Sequence, residues 1–347
     1  MKNNLSFIIT TINPYKNVKK LDYISKKNSV NFIIVGDKKT PSDFKTVYGD
    51  YLDLSKQKNL KYQITKKIPY NSYSRKNIGY LKAIQLNSNF IIETDDDNQI
   101  DKNYFNKISL HQNAKSILTE GWVNIYKAFL KDKSIKIWPR GLPFENIEKK
   151  FYFSEKSVKK KFFIQQGICN GDPDVDAIFR ILNNKKNFRF KKNLMFSINP
   201  KTFIPLNSQN TLWHSKAFAL LYLPSFCSMR ATDIWRGLIA KVVLANDKKN
   251  ILFKSSNIIQ KRNDHNLIND LRDEMELYEN LNLALNSLLK LNLLKGEKNY
   301  SKNLIKVYQK LVVMKLFPKK ELELVKLWVR DLNRLSKSSK KRRKHPF

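Results

Sequence analysis

The residues with the clearest chemical potential are Asp95, Asp96 and Asp97, three adjacent carboxylates that follow the apolar run Phe90-Ile91-Ile92 and the pair Glu93-Thr94. Like charges held this close repel one another, so such a triplet either protonates in part or recruits a cation. A hard divalent ion, Mn²⁺ or Mg²⁺, removes the penalty, because it takes one or two carboxylates together with phosphate oxygens and water. Asp-x-Asp spacing presents two of the three from one face of an extended chain. A solvated acidic turn, or the first turn of a helix, would use the same residues. Their place at the end of a buried run, in a strongly basic chain, favours the cation.

Positioning the triplet takes a layered sheet. Residues 5–11 and 31–35 read as buried strands that end in polar residues, Thr10, Thr11 and Asn13 after the first and Gly36 and Asp37 after the second. A weaker strand is expected over 60–64 and a helix over 73–86, with Ile78, Leu81 and Ala83 or Ile84 facing inward. The alternation predicts an α/β sheet with crossover helices, and in such sheets ligands sit at the carboxyl edge.

Two turn-rich segments, Trp138-Pro139-Arg140-Gly141-Leu142-Pro143 and residues 165–176, interrupt a mixed middle region. Lys159-Lys160-Lys161 reads as solvated surface. A helix is expected from Thr232, taken as its N-cap, with Ile234, Leu238 and Val242 inward. Beyond Asn263 three helical stripes follow: Leu267, Leu271, Met275, Tyr278, Leu281, Leu285 and Leu288; Leu304, Val307, Leu311 and Met314; and, after Pro318, Leu322, Val325, Trp328, Leu332 and Leu335. The expected organisation is a sheet domain over 1–265, a helical extension over 266–336 and a frayed basic tail over 337–347.

Composition bounds the function classes. The 347 residues carry 66 Lys and Arg against 30 Asp and Glu, a net charge of +36, which raises nucleic acid or an anionic membrane as partners. Lys far outnumbers Arg, no zinc-finger spacing or Gly-rich phosphate loop is present, and the charge is spread along the chain. No specific nucleic-acid partner is therefore expected. With 41% hydrophobic residues the chain can bury a large core, which excludes general disorder. Cys169 and Cys227 form no disulfide framework or metal spacing. Residues 5–12 are too short for a membrane span. A cytoplasmic location is expected, with peripheral contact at the inner face of an anionic membrane through the basic tail.

Taken in order, residues 10–14, 35–41, 73–81 and 93–98 with Trp138-Pro139-Arg140-Gly141, Gln165-Gln166-Gly167, Asp172-Pro173-Asp174-Val175-Asp176 and residues 228–236 resemble the STELLO-type glycosyltransferases. The resemblance implies a GT-A-like, Rossmann-type mixed sheet that binds a nucleoside-diphosphate sugar, a UDP-sugar first, with transfer to a saccharide or lipid-linked acceptor. On it Asp95 and Asp97 would bind Mn²⁺ or Mg²⁺ and Asp96 or Asp95 would lie near the ribose, with a Glu93-x-Asp95 pairing left open. Thr10, Thr11, Asn13 and Asp37 would face the nucleoside, while Arg75 neutralises the diphosphate and Asn77 orients it. Asp233 would be the catalytic base, with Asp174 and Asp176 as competing acids and His265 as a late metal ligand. The other readings are a nucleotide-sugar mutase, a nucleotidyltransferase, a non-catalytic organiser of glycan synthesis and, in a different class, a basic nucleic-acid-binding protein.

Overall fold

The computed structural model describes residues 4–106, 108–183, 187–262 and 265–344, with backbone alone for 338–344. In chain order the strands are β1 (Leu5–Thr10), β2 (Asn31–Val35), β3 (Asp50–Leu52), β4 (Phe90–Thr94), β5 (Asn98–Ile100), β6 (His111–Ile117), β7 (Gly121–Trp122), β8 (Phe153–Lys161), β9 (Ile164–Gly167), β10 (Asn170–Gly171), β11 (Met195–Ile198), β12 (Thr202–Phe203), β13 (Asn210–His214), β14 (Ile251–Lys254) and β15 (Ile258–Gln260). The helices are α1 (Lys19–Lys27), α2 (Leu54–Asn59), α3 (Lys76–Gln85), α4 (Tyr126–Phe129), α5 (Ala177–Leu182), α6 (Thr232–Asn246), α7 (Leu267–Leu289), α8 (Tyr300–Val313) and α9 (Lys319–Lys344).

A ten-stranded mixed sheet in the order β3-β2-β1-β4-β13-β9-β14-β11-β6-β8 forms the frame. Strands β3, β2, β1 and β4 are parallel, β13 is antiparallel to β4 and β9, and β14 runs parallel to β9. The ends of β1, β2, β4, β9 and β14 and the start of β13 therefore share one edge. A three-stranded sheet, β10-β15-β5, sits at that edge and continues the chain just past the acidic triplet.

The central strands are buried on both faces, which accounts for unbroken runs such as Phe7-Ile8-Ile9 and Phe90-Ile91-Ile92. One face receives α3, and Gly79 permits the contact: a Cβ there would lie 2.8 Å from Ile8 Cγ2 and 2.9 Å from Val35 Cγ2. The C-terminal helices share a continuous core with the sheet, joining Trp213 and Tyr222 to Leu281, Tyr308 and Trp328. Buried acids fasten them down. Glu321 accepts from the Tyr222 hydroxyl at 2.5 Å and from the backbone N–H groups of Ser225 and Phe226, and Asp331 accepts from Gln63 N and Ile64 N.

Several expectations need correction. The third strand is Asp50–Leu52; residues 60–64 form no strand, because the backbone N–H groups of Gln63 and Ile64 go to the Asp331 carboxylate instead of a ladder. Thr232 does not cap α6, since its hydroxyl donates back to Ser228 O at 3.0 Å and Ala231 is the entry residue. On α7 the inward stripe begins with Asp270, Glu274 and Leu277 rather than Leu267, Leu271 and Met275, of which the first two are only partly buried and Met275 is exposed; the acids pair with Arg230 and Arg262. Helix α9 runs on to Lys344, past the point at which the tail is expected to fray, and residues 345–347 of that tail lie outside the described residues.

Candidate active site

The acidic triplet leaves the sheet edge as a tight turn between β4 and β5, and its three carboxylates face different partners. Asp95 Oδ1 accepts from the Tyr73 hydroxyl at 2.7 Å and lies 3.3 Å from the Lys76 ammonium. Asp96 Oδ2 accepts from the Thr11 hydroxyl at 2.5 Å and from Asn13 Nδ2 at 2.9 Å, so the triplet is tied to the loop after β1. Asp97 Oδ2 accepts from Gln260 Nε2 at 3.0 Å, while its Oδ1 is buried with no hydrogen-bond partner among the described residues.

Mutual repulsion expresses itself in the acidities. Burial, then the neighbouring Asp95 charge, pushes the Asp97 carboxyl up to about 7. Burial raises Asp95 as well, against the opposing pull of Lys76 and Tyr73. An orphaned carboxylate oxygen beside a second acid fits a divalent cation, whose charge would favour both ionised forms. No three of His, Cys, Asp and Glu can enclose a metal alone among the described residues, so such a cation would draw remaining ligands from water or a ligand phosphate. Glu93 is otherwise engaged: the Arg236 guanidinium lies 2.8 Å from its Oε1, Trp213 Nε1 donates to it, and the Tyr80 hydroxyl holds Oε2. That leaves no oxygen for a Glu93-x-Asp95 metal pair.

A second acidic group meets the first through a short relay. The Tyr73 hydroxyl, bonded to Asp95, is also 2.5 Å from Ser208 Oγ, and Ser208 donates from both N and Oγ to Asp233 Oδ2 at 3.1 Å. Asp233 stands in the first turn of α6, where the helix dipole favours an anion. The helix reaches this depth because Gly237 packs against Leu206, whose carbonyl oxygen would lie 2.4 Å from a Cβ at that position. Arg140 bridges the remaining acids: its Nε and Nη2 donate to Asp174 at 2.9 Å each, and Nη1 and Nη2 both lie 3.1 Å from Asp233 Oδ1. Burial works against the Asp233 charge, but the Arg140 guanidinium, Arg236 and the Ser208 N–H together hold the carboxyl below its ordinary value.

Among the residues the sequence singles out, Thr11, Asn13, Asp95, Asp96, Asp97 and Asp233 thus belong to one connected edge. Thr10 ends β1 half-exposed beside it. Asp37 holds the neighbouring loop, accepting from Lys38 N and Ser72 N, and sits 4.0 Å from Arg75 Nε. Arg75 itself is buried, bonded to Gln57 Oε1 and stacked over Tyr70, and burial lowers its pKa. Asn77 is fully buried and exchanges two 2.8 Å bonds with the Leu223 backbone, which anchors α3 rather than meeting a ligand. Asp174 is filled by Arg140 and Asn207 Nδ2. Asp176 caps α5 through Phe179 N and takes Trp138 Nε1 and the Tyr278 hydroxyl, a structural assignment. His265 contacts Asp270, 3.3 Å away, within the Arg230 and Arg262 ion-pair cluster, and not the triplet. The residues not foreseen are Tyr73, Lys76, Arg140, Ser208 and Gln260. Tyr73, Lys76 and Arg140 lie inside segments that stand out in the sequence, whereas Ser208 and Gln260 carry no local signal.

The fold and the site define a mixed α/β protein that gathers acids at the carboxyl edge of its sheet, with Lys76 and Arg140 as buried counter-charges. Residues 230–341, which begin one turn before Asp233, match the model of the family described as STELLO glycosyltransferases. The chain is 32% identical over 249 residues to a protein of Arabidopsis thaliana named Probable glycosyltransferase STELLO1, covering 67% of this chain and 32% of that protein. It is 35% identical over 225 residues to Probable glycosyltransferase STELLO2 of the same plant, covering 59% and 29%. By sequence the chain belongs to the STELLO glycosyltransferase family, and it spans about a third of the length of these two relatives. No helix among the described residues is long and apolar enough to cross a membrane.

Proposed function

We propose that this chain is a metal-dependent glycosyltransferase that takes a sugar from a nucleoside-diphosphate sugar, a UDP-sugar first among them, and passes it to a saccharide or lipid-linked acceptor. One observation carries the reading: the acidic triplet lies at the carboxyl edge of the sheet, with Asp95 linked through Tyr73 and Ser208 to Asp233. The family membership and the parallel order β3-β2-β1-β4 support a GT-A-like sheet for the donor half.

In this mechanism Asp95 and the unpartnered oxygen of Asp97 would hold Mn²⁺ or Mg²⁺, while Tyr73 and Lys76 fix the Asp95 carboxylate. When bound, the cation neutralises the donor diphosphate and stabilises it as a leaving group. Asp96, oriented by Thr11 and Asn13, offers its carboxylate to the ribose hydroxyls, and Thr10 lines the same loop. In a single displacement the acceptor oxygen bonds to the anomeric carbon, the bond from that carbon to the diphosphate oxygen breaks, and the nucleoside diphosphate leaves with the electron pair. The acceptor hydroxyl proton passes to Asp233, which Arg140 keeps ionised and Ser208 keeps aimed. Contact of the basic C-terminal end with an anionic membrane, at a cytoplasmic face, remains part of the proposal; removal of residues 337–347 should weaken liposome binding.

The test is product analysis. With Mn²⁺, a panel of nucleoside-diphosphate sugars and saccharide or lipid-linked acceptors, the protein should release free nucleoside diphosphate and glycosylated acceptor, and Asp233→Asn should abolish the transfer. Pyrophosphate release, or isomerisation of the donor sugar without transfer, would overturn the assignment.

A further inference from the structure

The sheet edge opposite the acidic triplet carries an unusual concentration of positive charge around one aromatic ring. Phe163 lies just before β9, and the ammonium groups of Lys161, Lys216 and Lys249 stand 5.4, 5.7 and 5.8 Å from its ring centroid. They come from three separate places: the end of β8, the residue pair after β13 and the turn before β14. The β4–β13 register pairs Thr94 with Asn210 at the acidic edge and Phe90 with His214 at this one. Four residue steps of about 3.3 Å therefore set the two edges roughly 13 Å apart along the strands.

Like charges at this spacing need compensation. Lys161 and Lys216 are in side-chain contact, and that contact, together with Lys249, lowers the Lys161 pKa beyond the larger effect of desolvation. The carboxylates within reach among the described residues are Glu297, 2.8 Å from Lys216, and Asp247, 3.9 Å from Lys249. Asp247 is already held by Gly296 N and the Tyr300 hydroxyl at 2.8 Å each. The cluster therefore keeps a net positive charge. A neutral donor stands beside it: His214 stacks on Phe163, and its Nδ1 accepts from Lys216 N at 3.2 Å, which places the ring proton on Nε2. Desolvation, then Lys161 and Lys216, push His214 down to about 4, so the ring is neutral at physiological pH.

We propose that Lys161, Lys216 and Lys249, arrayed over Phe163 with His214, form a second anion site that binds a phosphate or diphosphate group at the sheet edge opposite the donor edge. Three mobile ammonium donors around a rigid aromatic floor suit a multiply charged, freely rotating phosphate, which Lys contacts as a point charge. The site stands apart from the proposed transfer reaction and shares no residue with it. The phosphate belongs either to a soluble molecule or to a lipid headgroup, and the same side chains would recognise both.

The experiment uses the full chain bearing Asp95→Asn and Asp97→Asn, in EDTA, so that the donor edge is silenced. One arm titrates inorganic pyrophosphate by calorimetry; the other measures sedimentation with phosphatidylcholine vesicles containing phosphatidic acid, against vesicles without it. Lys161→Met with Lys249→Met should weaken binding at least tenfold in the arm that responds, while Glu297→Gln, which removes an opposing carboxylate, should strengthen it severalfold. Circular dichroism checks that each variant is folded, and the opposite direction expected of Glu297→Gln protects the test from simple destabilisation. Response in the pyrophosphate arm alone assigns a soluble ligand, and response to phosphatidic acid assigns a headgroup. No response in either arm, or responses insensitive to both sets of substitutions, overturns the site.

Discussion

Replacing Asp97 with Asn should stabilise the metal-free protein at alkaline pH, an advantage that shrinks or vanishes at acid pH. The wild-type carboxyl has its Oδ1 buried without a partner and is raised from 3.8 to about 7 by burial and by Asp95. A carboxyl whose folded value lies above its unfolded one imposes no penalty below about 3.8, a growing one through the interval, and its full penalty above about 7. The gap is worth on the order of 4 kcal/mol at 1.36 kcal/mol per decade. Between pH 5 and pH 8 the penalty grows by about 2 to 3 kcal/mol, an upper figure because Asp95 shares the titration. The Asn amide keeps an oxygen for Gln260 but leaves a buried N–H unpaired, a cost of about 1 to 3 kcal/mol that is the same at both pH values. The difference between the two pH values therefore isolates the charge. Urea unfolding of both proteins in EDTA at pH 5 and pH 8 measures it. An advantage of the variant that fails to grow with pH, or that shrinks, would refute the reasoning about the triplet.

Other substitutions probe the surrounding frame. Arg140→Met leaves Asp174 and Asp233 buried without their shared counter-charge and should cost about 3 to 5 kcal/mol in chemical denaturation. Asn77→Ala, which severs both bonds to Leu223, should cost roughly 2 to 4 kcal/mol while leaving calorimetric donor affinity unchanged in the folded fraction. Lys241 is buried in α6 with its ammonium on Asn199 O, and burial lowers it from 10.5 to about 7. A Lys depressed on folding penalises the fold fully below about 7 and ceases to do so as pH rises toward 10.5, so Lys241→Met should stabilise by about 2 to 3 kcal/mol more at pH 6 than at pH 9.

The sheet edge was legible because its determinants are local. Buried runs that end in Thr10-Thr11, Asp37 and Asp95-Asp96-Asp97 declare both a strand and its functional end, and the observed β1, β2 and β4 stop within a residue or two of those positions. The relay through Tyr73 and Ser208 was not legible, since 135 residues separate the two hydroxyls and only the insertion of β13 beside β4 brings them together. The same distance problem hid the use of Asn77. Its motif reads as a ligand contact, yet its amide is matched to Leu223, 146 residues away. On α7 the apolar period misled because Asp270 and Glu274 occupy inward positions whose Arg partners lie on other elements. Local periodicity records burial; it does not record which polar residues have been given buried partners.

The account rests on a donor site that needs both a divalent cation and the carboxylates of Asp95 and Asp97. Isothermal titration of the full chain with UDP-sugars and other nucleoside-diphosphate sugars, with Mn²⁺ and with EDTA, tests this most directly. Binding should appear with Mn²⁺, fall at least tenfold in EDTA, and be lost in the Asp95→Asn, Asp97→Asn variant, whose fold is verified by circular dichroism. Equal affinity in EDTA, or unchanged affinity in the double variant, would contradict the claim that this acidic edge is a metal-assisted nucleotide-sugar site.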